Sequence, residues 1–253
     1  MLTRRLLPAA LALFALTPLG AQQSKAPKHG TDVLEMMRAK YARKWYTTLE
    51  FSQKTTIYGR NGVREETWHE RLLQHPTRGT LLRIDAGDPA LGNSTINTAD
   101  SGYTLRGGKL ANASADGNFF LPLIEGVYLQ PVERTVKDLA STHVDLAKVH
   151  EGTWQGKKVW VVGASDASDT TSAQFWIEAD RLVVVRVIVA LAPGQPPLDV
   201  QLEKYVETGG GWLATKVSMY IAGKPRQLEE YYDWKVGHKI DPSVFVAPPK
   251  ATP

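Results

Sequence analysis

Apolar and polar side chains alternate along most of the chain, tight glycine-containing connections separate the alternating stretches, and only two segments carry a helical period. Together these predict a mainly β protein of the α+β class. Strands joined by such short turns pair antiparallel with their neighbours, because parallel pairing needs long crossovers that are missing here. At 253 residues the chain can form one large domain or two small ones, and either can bury a substantial core.

The first element is a leader. Arg4 and Arg5 precede an apolar run from Leu6 to Leu16, and Thr17-Pro18-Leu19-Gly20-Ala21 follows. Charged, apolar and small-residue regions in that order read as a secretory signal peptide, residues 1–21, cut after Ala21. The run falls well short of the roughly 20 residues that cross a membrane as a helix. The expected location is therefore periplasmic, with no membrane span. Leu19 is bulky for its place before the cut and leaves an uncleaved anchor as the alternative. Thr3-Arg4-Arg5-Leu6-Leu7 resembles a twin-arginine signal, so the export route stays open.

Residues 22–30 are polar and read as a tether, and residues 31–253 as the folded domain. Thr31-Asp32 offers an N-cap for a helix to about Trp45, with Val33, Leu34, Met37, Tyr41 and Trp45 at three- and four-residue spacing. From Tyr46 the period is two, and Gly59-Arg60-Asn61-Gly62 turns the strand back as a hairpin. Strands follow over Arg64–Gln74, Gly79–Ile84, Ser94–Thr98, Gly102–Arg106 and Lys109–Asn112. Phe119 to Leu129 is the most apolar stretch after the leader. Pro122 and Gly126 divide it into one or two short helices, and a helix from Pro131 to about Ala140 comes next. Strands resume at Val144–His150, Lys157–Ala164, Ala173–Glu178, Leu182–Ala190, Leu198–Val206, Trp212–Ile221 and Gln227–Trp234. The Phe119–Leu129 segment is either ordinary core or a lid over an apolar cavity.

Several function classes lose their support. Removing Arg4 and Arg5 from 30 basic against 26 acidic residues leaves a net charge of +2, no footprint for nucleic acid. With no cysteine there is no disulfide framework, thiol nucleophile or lipidated N-terminal cysteine. Hydrolase, phosphate-loop and dinucleotide motifs are missing. The six histidines never fall four apart, so no pair shares a helix face as metal ligands. Glu65-Glu66 and Glu229-Glu230 are adjacent on strands, where neighbours point to opposite faces, and neither makes a converging carboxylate pair. No catalytic residue, metal or cofactor is expected, although side chains can still converge in three dimensions.

The order of elements resembles the LolA/LolB-like family of lipoprotein carriers. An amphipathic helix runs into Phe51-Ser52-Gln53-Lys54; Arg71-Leu72-Leu73-Gln74 leads into His75-Pro76 and then Thr80-Leu81-Leu82-Arg83-Ile84. Later, Phe175 to Arg186 is similar to that family's late hairpin and Asp241 to Pro249 to its C-terminal ending. The resemblance implies an incomplete antiparallel barrel, a half-barrel, with helices closing its open side. It implies a monomeric periplasmic carrier of lipoprotein acyl chains or another apolar amphiphile, without cofactor. It also turns Phe119–Leu129 into a lid. The implied cavity and lid residues are Met37, Trp45, Leu49, Phe51, Phe119, Phe120, Leu123, Ile124 and Tyr128, and Trp45, Phe51, Phe119, Phe120 and Leu123 are expected to face one interior. Where the best-known carriers hold the lid with an arginine before a proline, this chain has His75, whose imidazole offers fewer donors. The chain is also longer than a typical carrier. A half-barrel that senses or binds an envelope protein partner, without lipid transport, is the alternative.

Overall fold

The structure is a computed structural model and describes residues 26–249 except 99, 116, 167, 190, 192 and 193. The leader lies outside the described residues. Helix α1 (Gly30–Tyr41) is followed by β1 (Thr48–Gly59), β2 (Gly62–His75), β3 (Gly79–Ala86), β4 (Ser94–Asn97), β5 (Gly102–Arg106) and β6 (Lys109–Ser114). Helices α2 (Leu121–Ile124) and α3 (Val132–Asp138) come next, with a 3-10 turn at Gly126–Tyr128 between them. The second run of strands is β7 (Val149–Trp154), β8 (Lys157–Val162), β9 (Gln174–Glu178), β10 (Val184–Val189), β11 (Leu198–Thr208), β12 (Gly211–Ile221) and β13 (Lys224–Val236).

All thirteen strands form one antiparallel sheet ordered β6-β5-β4-β3-β2-β1-β13-β12-β11-β10-β9-β8-β7. It is not closed into a barrel, so β6 and β7 remain its edges: this is the incomplete half-barrel. The main core gathers α1, the 121–128 segment and one face of the sheet. A smaller cluster of Leu81, Ile96, Leu105, Ile240 and Phe245 lies apart from it. β3 serves both clusters, Leu82 the first and Leu81 the second, which is why its burial does not alternate. Among the described residues no helix is long and apolar enough to cross a membrane.

Helix α1 starts at Gly30 with His29, not Thr31-Asp32, at its N-cap, and β13 starts at Lys224 rather than Gln227; the two largest boundary differences lie elsewhere. Helix α1 ends at Tyr41, four residues before Trp45, because Ala42 leaves the helical region and Arg43 takes φ of 67°. The amides of Lys44 and Trp45 both donate to the Tyr41 carbonyl, tightening this connector. It packs under the β11–β12 turn, where a Cβ on Gly210 would lie 2.2 Å from the Lys44 carbonyl oxygen. Glycine is needed there for close approach as well as for its φ of 79°. The other difference is β7, which begins at Val149 rather than Val144. The Gly30 amide donates to the Leu146 carbonyl at 2.7 Å, so this stretch seats the start of α1 instead of extending the sheet.

A lidded cavity with buried carboxyl groups

A cavity of about 160 Å³ lies between the sheet and the 120–128 segment. Leu49, Phe51 and Leu72 line it from β1 and β2, and Leu202, Leu213 and Val217 from β11 and β12. Phe120, Leu121, Ile124 and Tyr128 cover it, and Trp45 reaches in from the connector. Trp45 and Tyr128 stack with ring centroids 3.6 Å apart, and Tyr41 meets both rings edge-on.

Six of the nine expected cavity and lid residues therefore meet in one place: Trp45, Leu49, Phe51, Phe120, Ile124 and Tyr128. Met37 is fully buried in the core behind them and does not line the cavity. Phe119 and Leu123 do not line this cavity but a separate narrow hollow with Leu139, Phe175 and Val187, although Leu123 belongs to the same core as Trp45 and Phe51. Phe120, the N-cap of α2, lies one helical turn before Ile124, whose amide donates to the Phe120 carbonyl at 2.9 Å, so these two share a face.

The lid is fastened from α1 and its connector. Arg38 Nε–H donates to the Gln130 carbonyl at 2.9 Å. Trp45 Nε1–H and Tyr46 Oη–H donate to the two carboxylate oxygens of Glu125 at 2.9 and 2.8 Å. Glu125 is 6 % exposed, and burial raises its pKa to about 7 although both donors pull it down. His75, which stands where the family's latch residue would be, organises the β2–β3 turn beside Pro76. Its Nδ1 accepts from the backbone amides of Thr77 and Arg78, both at 3.3 Å, and it makes no hydrogen bond to the lid among the described residues. The guanidinium that bonds the segment beside the cavity is therefore that of Arg38 on α1, not a side chain next to Pro76.

Two more carboxyl groups face the cavity from the sheet. Glu70 on β2 lies opposite Phe51, and Glu229 on β13 lies opposite Thr55, so they flank β1 on the same face. Glu229 accepts from Gln227 Nε2 at 2.6 Å and from Tyr231 Oη at 2.7 Å, and Tyr231 stacks on Phe51 at 4.3 Å. The carboxyl group of Glu70 accepts no hydrogen bond among the described residues. Burial first, and the neighbouring Glu229 second, push its pKa well above the carboxylate range; burial also raises that of Glu229. The sequence signal existed: counting by two from Leu72 puts Glu70 on the apolar face, and counting from Tyr231 does the same for Glu229. Testing only adjacent acidic pairs conceals it. No cluster of three or more ligating side chains that could hold a metal ion occurs among the described residues.

No protein-family profile matches the chain, and no curated protein matches it in sequence. Solved structures do resemble it. A domain described as outer membrane lipoprotein-sorting, from Vibrio parahaemolyticus, aligns with TM-score 0.59 and 12 % identity over 85 % of this chain and 95 % of that one. A DUF1329 family protein from Desulfovibrio piger gives 0.58 and 11 % over 86 % and 95 %. A LolA superfamily protein from Nitrosomonas europaea gives 0.50 and 11 % over 86 % and 97 %. Such low identity speaks to architecture alone. With one open antiparallel sheet and helices on its inner face, the chain has a LolA-like fold.

Proposed function

We propose that this protein is a non-enzymatic periplasmic carrier or binding protein that takes an acylated or otherwise apolar ligand between its sheet and its lid, an outer-membrane lipoprotein being one such cargo. Export by the 1–21 leader and a monomeric carrier fit this reading. The observation that carries it is the apolar cavity roofed by a segment tied down by few polar contacts. At 160 Å³ the cavity is close to the size that holds one benzene molecule, so an acyl chain enters only as the lid swings away. Exposed cavity walls then supply affinity: each buried methylene contributes about 0.8 kcal/mol. The same small volume favours the second reading, an envelope interaction module whose half-barrel is filled by its own side chains.

Native mass spectrometry of the protein recovered from its own cell envelope separates the two. A carrier shows an adduct whose mass resolves to an acyl-bearing molecule, on a chain that begins at Gln22. A chain that never carries such an adduct, and binds no alkyl probe in solution, would falsify the carrier reading.

A further inference from the structure

Among the described residues five acidic side chains are buried: Glu70, Asp85, Glu125, Glu178 and Glu229. Two of them each hold two cations. Asp85 pairs with Arg71 and Arg83, both at 2.9 Å, and Glu178 with Lys157 at 3.0 Å and Arg181 at 2.5 Å. The other three line the cavity, and no lysine, arginine or histidine lines it with them. Carboxyl groups normally enter a protein interior only with such partners, because an unpaired charge there is costly. Glu70 is the sharpest case: it is 7 % exposed, faces the cavity and has no hydrogen-bond partner. Gln53, on the same face of β1 and opposite Tyr231, is fully buried and leaves its Oε1 without a partner. Gln53 stays outside the cavity lining, so the unused acceptor in the wall of this mostly apolar pocket is Glu70, beside the stacked rings of Phe51 and Tyr231.

We infer that the cavity's ligand is an amphiphile with a protonated amine, its ammonium seated at Glu70 and Glu229 and its alkyl part against the aliphatic walls. This rests on the binding reading above and names the ligand class for the same site. An ammonium supplies the donor that the Glu70 carboxyl group lacks, and aromatic faces beside it add to its attraction. An anionic head would meet three carboxyl groups and no cation. The titratable groups facing the cavity are Glu70, Glu229 and Tyr231 from the sheet, Tyr205 from β11, and Glu125 and Tyr128 from the lid. Burial raises the proton affinity of both Glu70 and Glu229, so an ammonium seated between them favours loss of a proton to the solvent.

Isothermal titration of the mature protein with decylammonium, 1-decanol and decanoate tests this, since the three share a chain and differ in head group. Decylammonium should bind about tenfold or more tighter than decanol, the scale of a charge-assisted hydrogen bond, and decanoate weakest of all. Repeating the titration in buffers of different ionisation enthalpy should show release of up to about one proton with decylammonium only. Glu70→Gln should remove the preference for decylammonium over decanol and with it the proton release. Equal affinity for decylammonium and decanol, or tighter decanoate, overturns the inference while the binding function stands. Failure of all three probes overturns both.

Discussion

Glu178 and Glu70 are both strand carboxyl groups, 3 % and 7 % exposed, yet their pKa values move in opposite directions. Burial pushes Glu178 up, but Arg181 and Lys157 more than offset that, leaving it below the ordinary value. Glu70 has only Glu229 for company and rises. Depth alone therefore does not decide the charge of a buried acid; the supply of cations around it does. In this protein the supply is spatially sorted, with arginine and lysine placed at Asp85 and Glu178 and withheld from the cavity.

The largest expected effect is a pH dependence of stability. Glu125 has its folded pKa raised from 4.5 to about 7. The folded state holds this proton more tightly than the unfolded one, so the stabilisation is complete below the unfolded pKa and is lost as pH rises through about 7. At about 1.4 kcal/mol per unit this amounts to about 3 kcal/mol. Urea unfolding of wild type and Glu125→Gln from pH 4 to 8 should show a decline that the variant lacks by that amount; parallel curves would contradict it. Glu178 works in the other sense: its stabilisation is present above its ordinary pKa and fades as pH falls.

Next in size is the contrast itself. At pH 7 Glu178→Gln should cost about 2 kcal/mol, because it strips two cations of their shared partner. Glu70→Gln, which leaves no cation without its partner, should change stability by less than about 0.5 kcal/mol. Equal losses in the two variants would erase the distinction between paired and unpaired acids. The smallest effects concern the lid. Arg38→Met should cost about 1.5 kcal/mol and speed amide exchange across residues 121–130, whereas His75→Ala should leave that exchange unchanged. Faster exchange in His75→Ala, with none in Arg38→Met, would return the latch to the turn.

Much of this architecture could be read from side-chain period. The alternation from Thr47 to Phe51, the Gly59–Gly62 turn and the Gly209–Gly211 turn each mark strands that the sheet contains. What could not be read depended on neighbours distant in sequence. Tyr41 to Trp45 keeps a helical spacing, but the connector must bend to pass under Gly210, some 165 residues later. Val144 and Leu146 look like strand residues, but the Leu146 carbonyl is taken by Gly30. In the site, the aromatic residues announced themselves through apolar period, while Glu70, Glu125 and Glu229 each sit in separate elements and become a group only when the sheet brings β2 and β13 to either side of β1.

That placement of β1 bears on how the chain acquires its fold. Leu49 pairs with Leu72 on one side and Val236 on the other, so half of this central strand's backbone partners lie near the far end of the sequence. During synthesis from the N-terminus, β1 to β6 can assemble as a meander, but β1 remains an exposed edge until nearly the whole chain has emerged. Contacts of such long range are slow to form, and an unfinished edge invites pairing with another chain. A sheet whose first strand waits for its last needs protection from neighbouring chains in the interval.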